Sequence, residues 1–535
     1  MKARNDEGAD RTGGGSSGAA LGFVLALPFL LFGLFAADDA LLRFFPDDAF
    51  YYLETAYRFA RSGQITFDGV NPTNGFHPLY FLCCSLLALV FGKAALFRAV
   101  FIFDSLVLLA ALGMIVGGFR HTTRAARDLT FVLLALFPIL CFVRFSHGLE
   151  AGLVVLCTAL LLRAWQRAEA RGFQQLSRNL LLGGAFAAFL LARLDMIIPA
   201  APCLAWLALF SPLRRKPLPW LRGLAGIGVI PVLLCGAYLA WNLLQFGHAV
   251  PVSGAVKHHY GLPFSWAAVT GHPLAGAAVG LFPLLTSVVA LASRWAPGSG
   301  GKIASQDSPI LTLLNLGVLL SYGYLFFFAA NAFFWYFAYP EAVAAINIAA
   351  FAPRLFQAGS PLAPIAARRG RELVAVALAA NLAFNGSVLT LISRTGSFVS
   401  CHLRKIATEI DRTAGENPTI GVFDAGIIGF FSRGRVVNLD GLANSYDYFE
   451  RYCIPGRFQE YFRDQGITHL LVRDANIVNL EAVRAGRYER ARFGLDKRIS
   501  LPRSNELFRY TIPGGFSVFL FALGDDLPPP AAPRP

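Results

Sequence analysis

Apolar runs recur along this chain from Ala20 to Ile392, each parted from the next by a short polar or basic link. They read Ala20–Ala37, Leu96–Phe119, Leu129–Phe145, Gly152–Trp165, Asn179–Ala192, Met196–Phe210, Leu224–Leu244, Leu274–Ala292, Ile310–Ala330, Phe337–Ala352 and Leu373–Ile392. A hydrocarbon layer about 30 Å thick is crossed by about 20 apolar residues in a helix, so such runs are candidate membrane spans. Inside lipid every backbone polar group must be paired within its own segment, which leaves a helix bundle as the fold. Composition agrees. Of 535 residues 55% are hydrophobic and 15% charged, against about 25% charged in an average soluble domain. Mean hydropathy is +0.53.

The formal charge of +14 does not point to nucleic acid, because no basic–aromatic surface motif accompanies it. The Lys and Arg residues gather in His121–Arg127, Arg163–Arg178, Arg214–Arg222 and Arg354–Arg371. That is the bias of cytoplasmic loops. A further apolar run, Leu79–Phe91, would invert the bias if it spanned. Short runs of that kind are more often re-entrant or interfacial, and reading it as a helix in the outer leaflet restores the bias throughout. The expected architecture is mainly α: a polytopic bundle of about eleven spans, with a cytoplasmic N-terminus and a small extracytoplasmic C-terminal α/β domain. The expected plan is a disordered cytoplasmic tail over 1–19 and a bundle over 20–395 with its first outer loop at 38–95. The α/β domain follows over 396–527, then a disordered tail over 528–535. The first span carries no Ala-x-Ala-like cleavage site after it and reads as a retained anchor.

After Ile392 the pattern changes. Thr419–Phe423, Arg435–Leu439, Thr468–Val472 and Gly515–Phe521 are strand candidates, while Ile406–Ala414 and Tyr446–Tyr452 look helical. Six of the eight cysteines lie in or beside apolar runs, where Cys acts as a small hydrophobe. Cys401 and Cys453 lie in the C-terminal domain and are candidates for a disulfide if it faces an oxidising compartment.

With this topology the polar clusters collect at one face. Pro46–Pro78 follows the first run and begins with Asp47 and Asp48. Charge at a membrane boundary is costly and commonly functional. Adjacent carboxylates there serve as a general base or hold a divalent cation; the plainer role is capping the helix Ala49–Arg61. Asn71, Asn74 and His77 lie in a loop, suited to sugar hydroxyls or phosphate, or simply to a turn. Glu150 opens a span from the outer side, where the helix dipole favours an acid anyway. Arg193 and Asp195 form either a local ion pair or a phosphate cation with its acid. Lys257, followed by His258, breaks the positive-inside trend. A fixed cation at a leaving phosphate accounts for it, as does snorkelling. Asp424 and Asp440 end strand candidates, where turn capping is the favoured role. The sequence contains no Walker A, GxSxG, HExxH or strand-linked GxGxxG pattern, so an ATP-driven pump or a dinucleotide enzyme has no support.

The chain carries in order DDAFYYLETAYRFARSG, NPTNGFHPLY, SHGLE, LARLD, YLAWNLLQFGHAVPVSGAVK, VFDAGIIGFFS and VVNLDGLANSY, and the resemblance they carry extends over about residues 20–450. It resembles the integral-membrane glycosyltransferases of the GT-C class, with the layout of protein O-mannosyltransferases, aminoarabinose transferases and mycobacterial arabinofuranosyltransferases. The resemblance implies a hexosyl- or pentosyltransferase of a bacterial inner membrane. It implies a polyprenyl-phosphate sugar as donor and a glycan, lipid or protein acceptor on the outer face. An acid of the first outer loop is the catalytic base in that class, matching Asp47, with Asp48 close behind. The Asp–Asp pair departs from the Asp–Glu of several relatives. The substrate-binding set expected beside it is Tyr51, Asn71, Asn74, His77, Glu150, Arg193, Asp195, Lys257 and His258. No resident cofactor is expected; a divalent metal occurs in some relatives, but this chain shows no further acidic cluster.

Two other readings remain. A flippase for a lipid-linked sugar would need polar groups along the bundle at the midplane. A transferase for another lipid-linked group, such as phosphoethanolamine, would need metal ligands in the outer domain. A tag fused to the C-terminus is expected to react with impermeant reagents on intact cells stripped of outer barriers. A tag reached only after lysis overturns the eleven-span topology.

Overall fold

The apolar runs are helical wherever they are described. The computed structural model describes residues 14–121, 123–136, 148–210, 214, 216–259, 273–295, 308–328, 333–356, 360–361, 363–396, 398–473, 503–513 and 516–523. The first helices are α1 (Gly14–Phe35), α2 (Asp38–Leu42), α3 (Asp47–Ser62), α4 (Pro78–Val90), α5 (Lys93–Val116) and α6 (Arg124–Leu136). There follow α7 (Ala151–Glu169), α8 (Leu176–Ala192), α9 (Ile197–Leu209), α10 (Pro217–Phe246), α11 (Val252–His259), α12 (Pro273–Trp295), α13 (Pro309–Phe328), α14 (Ala338–Phe351) and α15 (Ala363–Thr395). Among the described residues four helices are long and apolar enough to cross a membrane: α5, α7, α10 and Ala367–Thr395 of α15. With the shorter apolar helices around them they make a multi-pass membrane protein. The expected tail over 1–19 needs correction at its end, because α1 already begins at Gly14; residues 1–13 and 528–535 lie outside the described residues, as do His147 and the last part of the run ending at Phe145.

The short run Leu79–Phe91 becomes α4. A 13-residue helix is about 20 Å long at about 1.5 Å per residue, too short to span. Tyr80 near its start donates to Asp104 in the middle of α5, and only a two-residue link joins the helices, so they run antiparallel. Leu82, Leu86, Leu89 and Val90 stay exposed on the outer side of α4, an apolar stripe that suits lipid.

Helix α3 lies beneath the C-terminal domain. Its Ala49–Ala56 stretch is buried. Its end is set by Gly63, whose φ of +73° closes the last turn in the left-handed conformation that glycine adopts without a Cβ penalty. The buried Glu54 of this helix pairs with Arg58 at 2.8 Å and with Lys93 at 2.7 Å, tying α3 to the start of α5.

The C-terminal domain holds α16 (Phe398–Thr413), α17 (Gly426–Phe431), α18 (Phe458–Asp464), β1 (Thr419–Val422), β2 (Arg435–Asn438), β3 (His469–Arg473), β4 (Glu506–Thr511) and β5 (Ser517–Ala522). The sheet order is β2-β1-β3-β5-β4. Strands β2, β1 and β3 are parallel, while β5 runs antiparallel to both β3 and β4. Four strands fall on the apolar runs of the sequence. The fifth, β4, is an edge strand with every second residue exposed, and its Glu506 and Arg509 hide an alternation that carries little apolar signal. Tyr448–Cys453 winds as a single wide π-helical turn at the site of one expected helix. The disulfide expectation is corrected: Cys401 and Cys453 are both buried and are not joined to each other, and the Cys401 thiol donates to the Asp39 carbonyl.

The domain is fastened to the bundle by polar contacts. Asn71 Nδ2 donates to Asp68 Oδ2 (2.6 Å) and Gln465 Oε1 (3.0 Å), and Arg435 pairs with Asp68 at 3.0 Å. Ser400 Oγ donates to the Phe45 carbonyl, and Arg404 reaches Asp38 and Asp39. At Gly75 the loop approaches so closely that a Cβ would stand 1.9 Å from the Leu442 carbonyl oxygen. Gly75→Ala is therefore expected to destabilise the docked protein by about 1–3 kcal/mol through overpacking. Gly184→Ala, where a Cβ meets nothing within 4 Å, should not. Melting of the two purified variants in detergent checks this; equal melting would show that the close approach is not a constraint.

Candidate active site

The two adjacent acids begin α3, and one residue of helix turns a side chain by about 100°. Asp47 and Tyr51, four apart, therefore share the face toward the C-terminal domain. Asp48 and Tyr52 share the face toward the bundle. This split organises the site.

On the first face the N–H groups of Gly426 and Ile427 donate to Asp47 Oδ2 (2.9 Å) and Oδ1 (2.8 Å). The carboxylate thus caps the start of α17 across the interface. A Cβ at Gly426 would lie 2.1 Å from the Asp47 carbonyl oxygen, so only glycine lets the helix come this near. Tyr51 Oη donates to Asp440 Oδ2 (2.7 Å) and accepts from Ala425 N (3.0 Å) and Asn438 Nδ2 (3.0 Å). Burial, joined by the nearby charge of Asp424, pushes the Asp47 carboxyl up to about 7 despite its two donors. Asp424 itself stands in a left-handed conformation at φ +52° and pairs with Arg473 at 2.8 Å.

On the second face Tyr52 Oη donates to Glu150 Oε2 (3.1 Å) and accepts from His77 N (3.2 Å). Glu150 pairs with Arg193 at 3.2 Å. Arg193 also grips Asp195 through both Nε (3.0 Å) and Nη2 (2.7 Å) and donates to the Trp335 carbonyl. Burial alone would lower the Arg193 guanidinium, but Asp195 and Glu150 hold it above its ordinary value. One cation buried between two acids is a closed unit. Removing one partner of such a pair costs about 3–5 kcal/mol because the others are left charged and dry. His77 Nε2 lies 3.6 Å from Glu150, its Nδ1 is buried with no hydrogen-bond partner among the described residues, and burial lowers its imidazole so that it stands neutral near pH 7.

Asp48 differs from all of these. It is half-buried, and among the described residues its carboxylate makes no hydrogen bond and no ion pair. Burial pushes it up to about 6; Lys257 is its strongest charged neighbour and opposes that rise, while Asp424, Asp440 and Glu150 add to it. Lys257 is carried in by α11, whose Val252 and Val256 are fully buried. Burial would lower its ammonium, but Tyr336 and Asp48 together hold it above the usual lysine value. The face of Tyr336 lies 4.7 Å from the Arg193 guanidinium and 5.6 Å from Lys257 Nζ. Two cations thus meet over one aromatic ring, and one of them, Lys257, is the charged neighbour of the open Asp48 carboxylate. This is a fixed charge environment of the kind that stabilises a leaving phosphate and takes a proton.

The structure brings together Asp47, Asp48, Tyr51, His77, Glu150, Arg193, Asp195 and Lys257. It places Asn71 in the joint with the C-terminal domain, as described above. Asn74 is also taken elsewhere: its Nδ2 donates to Asn242 Oδ1 (3.0 Å) and its Oδ1 accepts from Val252 N (2.9 Å). The Asn71 Nδ2 and the Asn74 amide are thus engaged in contacts that position loops. The side chain of His258 lies outside the described residues. Three contributors were not singled out in the sequence. Tyr52 was readable as the i+4 partner of Asp48, and Asp104 as a lone acid inside an apolar run. Tyr336 had no signal beyond lying in an aromatic cluster. Among the described residues no group of three His, Cys, Asp or Glu is placed to hold a metal ion. Asp47→Ala is expected to leave two interface N–H groups unpaired and cost about 2 kcal/mol. The check is protease release of the C-terminal domain from detergent-solubilised protein; unchanged release would remove Asp47 from the joint.

A family model described as a domain of unknown function (DUF8728) matches residues 395–512. No curated protein matches the chain by sequence. Among solved structures, ArnT from Cupriavidus metallidurans bound to undecaprenyl phosphate aligns with a TM-score of 0.56 at 14% identity, covering 97% of this chain and 100% of that one. Its apo state gives 0.54 at 14%, covering 96% and 99%. The apo oligosaccharyltransferase of Archaeoglobus fulgidus gives 0.43 at 14%, covering 85% and 69%. Over nearly its whole length the chain has the fold of ArnT, a GT-C class membrane glycosyltransferase.

Proposed function

We propose that this protein transfers a sugar from a polyprenyl-phosphate carrier to a hydroxyl acceptor at the extracytoplasmic surface, with Asp48 as general base. The observation that carries the reading is the open carboxylate of Asp48 beside the fixed cation Lys257, in a chain with the fold of a protein seen bound to undecaprenyl phosphate. Asp48 accepts the acceptor's hydroxyl proton as its oxygen attacks the anomeric carbon. The bond from that carbon to the phosphate oxygen breaks, and the lipid phosphate leaves as an anion. One base and one displacement invert the anomeric centre. Lys257 stabilises the charge that grows on the phosphate, because a preorganised cation acts strongly where water is excluded. Arg193 is neutralised by Glu150 and Asp195, so its part is to hold Tyr336 and thereby Lys257. The reading moves the base from Asp47 to its neighbour: both oxygens of Asp47 are occupied by the joint. No metal is needed for this scheme.

The base works as the carboxylate, so activity is present above the Asp48 value of about 6 and falls as pH drops through it. In membranes supplied with radiolabelled polyprenyl-phosphate sugars, the acid limb of the kcat/KM profile should centre near pH 6. Asp48→Asn should lower transfer by about 10²–10⁴-fold, the range of a lost general base, with melting unchanged. Asp47→Asn should lower melting and transfer together. Full activity in Asp48→Asn overturns the assignment.

A further inference from the structure

We propose that the end of the bundle opposite the C-terminal domain carries a site for an anionic glycerophospholipid. It lies in a groove of about 610 Å³ between α8 and α10, within the roughly 300–1,000 Å³ of ordinary ligand sites. The two helices touch where Gly183 meets the Ile227 carbonyl and Gly226 meets Asn179. From there the groove opens toward their N-terminal ends. Leu180, Ala225 and Val229 make an apolar wall, and Gln174 and Arg222 stand at the rim.

The charge there is of one sign. Arg222 and Lys216 are exposed, and neither side chain has a partner among the described residues. Arg178 stands beside them, donating to the Arg167 carbonyl. Glu169, the acid at the end of α7, is engaged by Ser308 Oγ. Leu176, Leu181, Leu218 and Leu221 are exposed around the groove, a surface suited to acyl chains. Basic rims over apolar clefts between membrane helices match a lipid with an anionic head and an apolar tail. The floor adds a preference. Asn179 is 2% exposed; its Nδ2 donates to the Phe173 carbonyl at 2.7 Å, and its Oδ1 has no hydrogen-bond partner among the described residues. An occupant that brings hydroxyl donors, as a glycerol head does, is favoured over one that brings none.

This groove is separate from the candidate active site. Asn179 and Arg193 lie on α8 and its end, fourteen residues or about 21 Å apart at about 1.5 Å per residue. Nothing in the inference depends on the transfer reaction.

The test uses full-length protein purified in detergent and stripped of lipid. Dioleoylphosphatidylglycerol and dioleoylphosphatidylcholine are titrated separately and followed by native mass spectrometry and melting. Phosphatidylglycerol should be retained preferentially and raise the melting temperature. Arg222→Ala, at an exposed position, should weaken its binding about fivefold, the equivalent of about 1 kcal/mol for one cation near a lipid head. Ala225→Trp should fill the groove and remove the preference. Equal binding of the two lipids overturns the proposal, as does undiminished phosphatidylglycerol affinity in Arg222→Ala. Equal protection by soluble glycerol 1-phosphate also overturns it, since a lipid is then not required.

Discussion

The first turn of α3 is the constraint on which the rest of the molecule depends. Two neighbouring aspartates on a helix cannot face the same way, because each residue advances by about 100°. Asp47 is turned into the joint with α17 and Asp48 into the space beside Lys257. Tyr51 and Tyr52 repeat the division one turn later, the first bonded to Asp440 and the second to Glu150. One helical turn thus holds the C-terminal domain on one side and forms the base of the candidate site on the other.

The charges around that turn follow a consistent division between closed and open groups. Arg193 is engaged on both sides, by Glu150 and by Asp195, so its cation is already paired within the cluster. Glu54 is likewise paired on both sides, with Arg58 and Lys93. Asp48 and Lys257 are left as the open pair, both half-buried and coupled through space. Low local dielectric makes their interaction with an incoming ligand stronger than it would be at a free surface. Closed clusters supply rigidity, and the open pair is the part not used up by internal contacts.

Much of the fold was legible in the sequence because it is written in local periodicity. The apolar runs became helices, Leu79–Phe91 among them as the 13-residue α4, and four of five strands lay on the short apolar stretches after Ile392. Strand β4 was missed because an edge strand alternates between half-buried and exposed and needs little apolar content. The start of α1 was missed because Gly14–Gly18 carries no helix signal of its own. In the site, residues joined by charge were readable: Asp48, Glu150, Arg193, Asp195 and Lys257 all stood out as ionisable groups at the ends of apolar segments. Asn71 and Asn74 stood out equally, yet their amides serve contacts with Gln465 and Asn242, 394 and 168 residues away in the chain.

The sequence by itself determined that this is a membrane helix bundle with an α/β appendage and that its polar groups gather at one end. Hydrophobic length and charge bias are properties of single segments, so they can be read one segment at a time. Only the tertiary structure decided which of Asp47 and Asp48 is occupied, since the answer lies in the N–H groups of Gly426 and Ile427, 379 and 380 positions later. Tyr336 was decided in the same way. A ring between two cations is a meeting of distant segments, and its effect on Lys257 comes from burial and proximity, neither of which exists until the chain has folded.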